Sequence, residues 1–182
     1  GCRYKYMPSP RTYFESTDDG VRITWDAING AEQYCVFYGS TQTNGWVMLG
    51  TTTDTGFLWT EAEIGRTYVF AVRCMNAEGT RFTSSTGGRM YTYRPAPVVT
   101  KLENTSKGIK LTWNAINGVP RYRVFVKTSK GWATVGSTTG TCFLWTGAKP
   151  GYTYTFTVRC VNAENNAFLS PYNTTGWSIT YA

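Results

Sequence analysis

The sequence predicts an all-β protein made of two tandem β-sandwiches, each of about seven strands. Three observations predict it. The chain repeats itself: residues 24–34 read TWDAINGAEQY and residues 112–122 read TWNAINGVPRY, so Trp113 follows Trp25 by 88 residues. Apolar and polar residues alternate with period two in short runs, and no stretch shows the 3.6-residue period of a helix. Gly, Asn and Pro turn signals separate those runs.

The second copy shows the elements most clearly. Ile109, Leu111 and Trp113 point one way while Lys110 and Thr112 point the other. Tyr122, Val124 and Val126 alternate with Arg123 and Phe125. Phe143 and Trp145 make a shorter run, and Tyr154, Phe156, Val158 and Cys160 the last clear one. Asn117-Gly118, Lys130-Gly131 and Lys149-Pro150-Gly151 supply turns between them. Period-two runs that each bury one face call for two antiparallel sheets packed together.

The first copy answers each phrase: GVRITWDAING to GIKLTWNAING, GWVMLGTTTDTGFLWT to GWATVGSTTGTCFLWT, YVFAVRCMNAEG to YTFTVRCVNAEN. The offset drops from 88 to 86 between Tyr38 and Trp46 and returns to 88 by Gly88, so length changes fall in loops. A shorter echo links YKYMPSP at residues 4–10 with YTYRPAP at residues 91–97. The expected organisation is therefore a strand and linker remnant of an upstream repeat at 1–8, a first domain at 9–94 and a second at 95–182. On that reading the chain is a piece of a longer array, and Gly1-Cys2 marks only where the piece starts. Arg94-Pro95-Ala96-Pro97 reads as a stiffened joint, because proline fixes φ and favours extended backbone.

Composition narrows the function. The 182 residues are 41% hydrophobic and 16% aromatic, enough to build cores. No apolar run approaches the ~20 residues that span a bilayer, so the chain reads as a soluble piece. The net charge of +7 sits wholly in residues 95–182, where nine Lys/Arg face only Glu103 and Glu164. Lys101, Lys107, Lys110, Arg121, Arg123, Lys127, Lys130, Lys149 and Arg159 form no run, so they read as a solubilising coat; attraction to anionic polymers is the alternative. No nucleic-acid partner is expected.

Each copy resembles a fibronectin type III domain. The residues that carry the resemblance are Trp25 and Trp113 on the second strand and the Tyr-x-Val phrases at Tyr34 and Tyr122. Tyr68 and Tyr154 stand where that family keeps a tyrosine corner, and Ser170-Pro171 precedes the last strand. The first copy departs with Glu63-Ile64-Gly65 at the corner and Ser84-Ser85 before the last strand. The phrasing is similar to tandem domains of secreted and surface proteins of Gram-positive bacteria. The resemblance implies seven-stranded immunoglobulin-like sandwiches with a core of Trp25, Trp113, Tyr34, Tyr122, Tyr68, Tyr154, Trp59 and Trp145. It also implies Cys74 and Cys160 facing inward and Cys35 and Cys142 facing outward; with those facings a bridge inside the first copy is not expected, and all cysteines read as reduced thiols.

Chemistry finds little footing. Histidine is absent, which removes the usual base of a Ser or Cys nucleophile. Glu61 and Glu63 are alternate residues at a turn, matched by Gly147 and Lys149 in the second copy, and read as solvated acids. Asp18-Asp19-Gly20 offers too few oxygens for calcium and reads as a turn. No CxxC pair supplies a zinc site, and no cofactor is expected.

Outward aromatics remain. Phe37 and Phe125 on the third strand, Arg73 and Arg159 on its neighbour, and Trp46 and Trp132 on the next hairpin arm read first as a stabilising stack. They read second as a platform for sugar rings or a protein partner. Trp177, where the first copy has Arg89, is either a contact residue or a cap on the sandwich end. The expected role is a non-catalytic, extracellular spacer and interaction module whose partners are neighbouring domains of its own polypeptide. The alternative is a glycan-binding module using Trp132, Trp177, Phe125 and Arg159, with an extracellular glycan or surface protein as partner.

Overall fold

The computed structural model describes residues 7–39, 45–80, 82, 84 and 87–182. The chain divides into two compact units, Gly1–Tyr93 and Arg94–Ala182. No helix among the described residues is long and apolar enough to cross a membrane.

The first unit has seven strands: β1 (Thr12–Ser16), β2 (Val21–Trp25), β3 (Gln33–Gly39), β4 (Val47–Thr52), β5 (Gly56–Trp59), β6 (Thr67–Met75) and β7 (Gly88–Thr92). They form a three-stranded sheet in the order β1-β2-β5 and a four-stranded sheet in the order β4-β3-β6-β7. The second unit repeats this with β8 (Val99–Thr105), β9 (Gly108–Trp113), β10 (Arg121–Thr128), β11 (Gly131–Thr138), β12 (Cys142–Trp145), β13 (Thr153–Val161) and β14 (Trp177–Thr180). Its sheets run β12-β9-β8 and β11-β10-β13-β14. All strand pairs in these sheets are antiparallel.

The alternation seen in the sequence becomes the two inner faces. Val21, Ile23 and Trp25 of β2 meet Tyr34 and Val36 of β3 and Tyr68, Phe70, Val72 and Cys74 of β6. In the second unit Ile109, Leu111 and Trp113 meet Tyr122, Val124, Val126, Phe156, Val158 and Cys160. Each fully buried large side chain contributes about 1.5–3 kcal/mol. The aromatic core is less uniform than the repeat predicts. Trp59 is 7% exposed, whereas Trp145 and Tyr154 are only half-buried against the second core. The difference traces to one neighbour: Tyr38 stacks on Trp59 at 4.7 Å, and the smaller Val126 stands at that place in the second unit.

Local hydrogen bonds explain why both copies keep the same tyrosines. Tyr68 Oη accepts the Glu63 N–H at 2.9 Å, and Tyr154 Oη accepts the Lys149 N–H at 3.0 Å. Tyr34 and Tyr122 likewise accept the Ile28 and Ile116 N–H groups, each at 2.9 Å. Each hydroxyl satisfies a turn amide that would otherwise lack a partner. Gly20 and Gly108 open β2 and β9 with φ of +153° and +139°. A β-carbon there would lie 2.1 Å from the carbonyl oxygen of Trp59 or Trp145, so the facing strand requires glycine. Register shifts fall between Val36 and Phe37 in β3 and between Val124 and Phe125 in β10, one bulge at the same place in each copy.

Several expectations meet the structure here. Cys74 and Cys160 are buried inward, and Cys142 is exposed. Cys35 is corrected. It sits on the outer face of its sheet opposite Arg73, yet it is 0% exposed, because the neighbours on that face close over it. Burial pushes its thiol up, against the lowering effect of the Arg73 charge. Glu63 is engaged by Arg66 at 2.5 Å, and Asp18 and Asp19 lie exposed in a turn closed by the Thr17 N–H on Gly20 O at 2.9 Å. Of the segment 1–8, residues 1–6 lie outside the described residues. Met7 bridges Ser84 and packs against the first core, and the units part between Tyr93 and Arg94, at the start of the Arg94–Pro97 segment.

Candidate functional site

The outer face of each four-stranded sheet carries the side chains that point away from the core. On β10 these are Arg123, Phe125 and Lys127, because Tyr122, Val124 and Val126 take the inner face. On β13 they are Thr155, Thr157 and Arg159. Cross-strand register places Phe125 beside Thr134 on one side and Thr157 on the other, Arg123 beside Arg159, and Lys127 beside Trp132.

A duplicated stack covers this face. Arg159 lies over the Phe168 ring at 3.7 Å, and its Nε and Nη2 donate to Ser170 O at 3.1 and 2.9 Å. Ser170 Oγ accepts the Cys160 N–H at 3.0 Å. In the first unit Arg73 lies over Phe82 at 3.9 Å, donates to Ser84 O at 3.1 and 2.9 Å, and Ser84 Oγ accepts the Cys74 N–H at 2.9 Å. Phe37 meets Phe82 at 5.7 Å and Phe125 meets Phe168 at 6.1 Å. The guanidinium therefore ties a loop to a strand by hydrogen bonds and ring contact together. Such a stack contributes about 0.5–2 kcal/mol.

Beyond the stack the second unit forms a cleft of about 220 Å³ lined by Phe125, Trp132, Thr157, Arg159, Phe168 and Tyr172. Trp132 and Tyr172 stand edge to face at 6.2 Å and 78°. The indole lies close against the last strand: a β-carbon at Gly176 would come within 2.7 Å of Trp132 Cη2, and one at Gly88 within 2.8 Å of Trp46 Cη2. Lys127 Nζ lies 5.8 Å from the Trp132 ring, and the Arg123 guanidinium 5.2 Å from Phe168. Burial pulls the Arg159 pKa below its ordinary value, with the Tyr172 hydroxyl opposing and Arg123 reinforcing. The group still remains a cation at neutral pH. Thr157 Oγ1 donates to Asn173 O at 3.0 Å. These groups bring ring surface and positive charge together in one recess. Among the described residues no cluster of three or more His, Cys, Asp or Glu is placed to hold a metal.

Of the residues singled out from sequence, the structure brings Phe125, Trp132 and Arg159 together. Phe37 and Arg73 share a stack in the first unit, and Trp46 lies 46% exposed just before β4. Trp177 sits elsewhere: it pairs with Phe156 and packs, half-buried, against the second core. Sequence reasoning missed Phe82, Phe168 and Tyr172. Phe82 and Phe168 were readable, since each precedes its serine by two residues in both copies. Tyr172 stands on a loop that gains two residues over the first copy, the place where the offset recovers from 86 at Ser84/Ser170 to 88 at Gly88/Gly176.

Two sheets of three and four strands, the fourth strand joined to the larger sheet, and a tyrosine corner in each unit define two fibronectin type III-like β-sandwiches. No protein-family profile and no curated protein sequence matches the chain. Among solved structures it is similar to the selenomethionine-substituted chicken interferon gamma receptor alpha chain, at 12% identity over 96% of this chain and 98% of that one, with a TM-score of 0.49. It is also similar to the FN1–FN3 domains of chicken CNTN1, at 14% identity over 96% of this chain and 67% of that one, with a TM-score of 0.42.

Proposed function

We propose that this pair of sandwiches is a non-catalytic spacer and interaction module of a larger extracellular protein of a Gram-positive bacterium. One observation carries the reading: the same closed sandwich is made twice, each with its own buried core. A unit that needs nothing from its neighbour to bury its apolar face can be strung in series, and its outer faces are then available for contacts. The module projects or orients the catalytic or adhesive domains beside it, and the segment 1–8 is the trailing strand and linker of a further repeat. Sequencing the parent gene on both sides tests this. The expected result is further copies of the Trp-and-Tyr pattern, a secretion leader and at least one catalytic or adhesive domain. A parent with no such domain and no leader overturns it.

A second reading, glycan binding, is favoured by the cleft on the second unit, where Trp132 and Tyr172 offer ring surface beside Arg159. Affinity electrophoresis of the chain through gels containing polysaccharides tests it. Retardation that is lost on Trp132→Ala supports the reading, and free migration through a broad glycan panel overturns it.

A further inference from the structure

We propose that the cleft on the second sandwich takes one carboxylate-bearing sugar ring of an acidic polysaccharide, so that this face recognises uronic-acid glycans. The inference rests on the glycan-binding reading and narrows its ligand class. Size comes first. A cleft of about 220 Å³ is smaller than the roughly 300–1,000 Å³ of a drug-sized ligand site, so it admits one ring rather than a long segment. Ring chemistry comes second. Trp132 and Tyr172 wall the recess with aromatic surface, against which the C–H face of a pyranose packs.

Charge selects among sugars. Arg159 lines the cleft, and Arg123 and Lys127 flank it on the same sheet face. Among the described residues none of these three cations has a carboxylate within ion-pair distance; the second unit's ion pair joins Lys101 to Glu103. Arg159 uses Nε and Nη2 on Ser170, and its Nη1 makes no hydrogen bond among the described residues. A cationic ligand would meet three like charges, and a neutral one would leave them uncompensated. The net +7 of the second half, nine Lys/Arg against two acids, draws a polyanion toward the same face. Exposed hydroxyls of Thr134 and Ser178, the latter bonded to Thr155 Oγ1 at 2.8 Å, suit a ring edged with hydroxyls. Single-stranded nucleic acid would need successive stacking platforms along a groove, and this face has one recess.

Affinity electrophoresis of the full 182-residue chain tests the proposal, with gels containing polygalacturonate, its methyl-esterified form or neutral hydroxyethylcellulose. The expected result is at least tenfold tighter binding to polygalacturonate than to the ester. Trp132→Ala and Tyr172→Ala should each weaken it by tenfold or more, and Lys127→Gln by about two- to fivefold. Lys110→Gln, on the other sheet, should leave it within twofold. If Trp132→Ala does not fold, Tyr172→Ala on its loop carries the same test. Equal binding of free and esterified polymer overturns the acid preference while leaving glycan binding standing. No binding of any of the three polymers overturns both. Binding that survives Tyr172→Ala, or that polyglutamate or a single-stranded thymidine oligonucleotide matches, assigns the attraction to diffuse charge and overturns the proposal.

Discussion

On the first sandwich the outer face of the four-stranded sheet carries Met48, Val69, Ala71 and Met90; on the second the same places hold Thr134, Thr155, Thr157 and Ser178. Around them the two faces agree. Phe37 and Phe125, Arg73 and Arg159, Phe82 and Phe168, Trp46 and Trp132, and Gly88 and Gly176 occupy matching positions. What the faces share is the stack that ties a loop to the sheet. What they do not share decides what either can touch: thioethers 60% and 76% exposed at Met48 and Met90 against hydroxyls and two further cations, Arg123 and Lys127. A scaffold duplicated once has been surfaced in two ways, one apolar and one polar and basic.

The largest test asks whether the cores are truly equivalent. Phe70→Ala and Phe156→Ala, each removing a fully buried ring, should each cost about 3–5 kcal/mol in urea unfolding and agree within about 1 kcal/mol. A much cheaper Phe156→Ala would mean that the looser packing around Trp145 lets the second core relax. Next come the strand-opening glycines. Gly20→Ala and Gly108→Ala push a methyl against a facing carbonyl and should each cost about 2–3 kcal/mol by the same measurement.

Smaller effects sharpen the contrast. Tyr68→Phe leaves the Glu63 N–H without its acceptor beneath a side chain 2% exposed and should cost about 1–3 kcal/mol. Tyr154→Phe does the same in a more exposed setting and should cost about 0.5–1.5 kcal/mol. Equal losses would show that burial of the corner does not set its worth.

Alkali should weaken both units. Burial raises the pKa of Cys35 and Cys74 in the first unit and of Cys160 in the second, and of Tyr93 and Tyr122. The folded state holds these protons more tightly than the unfolded chain. Stability is therefore full below the unfolded thiol value, near pH ~8.5, and falls as pH rises through the folded values. Urea midpoints from pH 7 to 10.5 should decline, and a midpoint that rises would reverse the assignment. Smallest of all, Met48→Thr with Met90→Ser gives the first face the residues of the second. It should change stability by no more than about 0.5 kcal/mol while shortening retention on a hydrophobic-interaction column.

The fold was legible because its determinants are local and doubled. Alternation of Ile109, Leu111 and Trp113 with Lys110 and Thr112 gives the facing of β9 directly, and the repeat checks it against β2. The burial of Cys35 was not legible because alternation tells which face a side chain takes, not what its neighbours on that face lay over it. Half of the site was visible as the strand residues Phe125, Trp132 and Arg159. The other half, Phe168 and Tyr172, lies on the loop between β13 and β14, where no period reports direction. Trp177 drew notice because it has no counterpart, yet its place beside Phe156 turns it toward the core.

The paired bulges opposite Val36–Phe37 and Val124–Phe125 have a consequence for a chain that repeats one sandwich. Copies tethered by a few residues meet at millimolar effective concentration, where unsatisfied border strands recruit each other and segments are exchanged. A one-residue dislocation within one border strand of each four-stranded sheet, at Leu49 of β4 and Val135 of β11, spoils the straight ladder that such mispairing needs. The irregularity guards the individuality of every bead on the string.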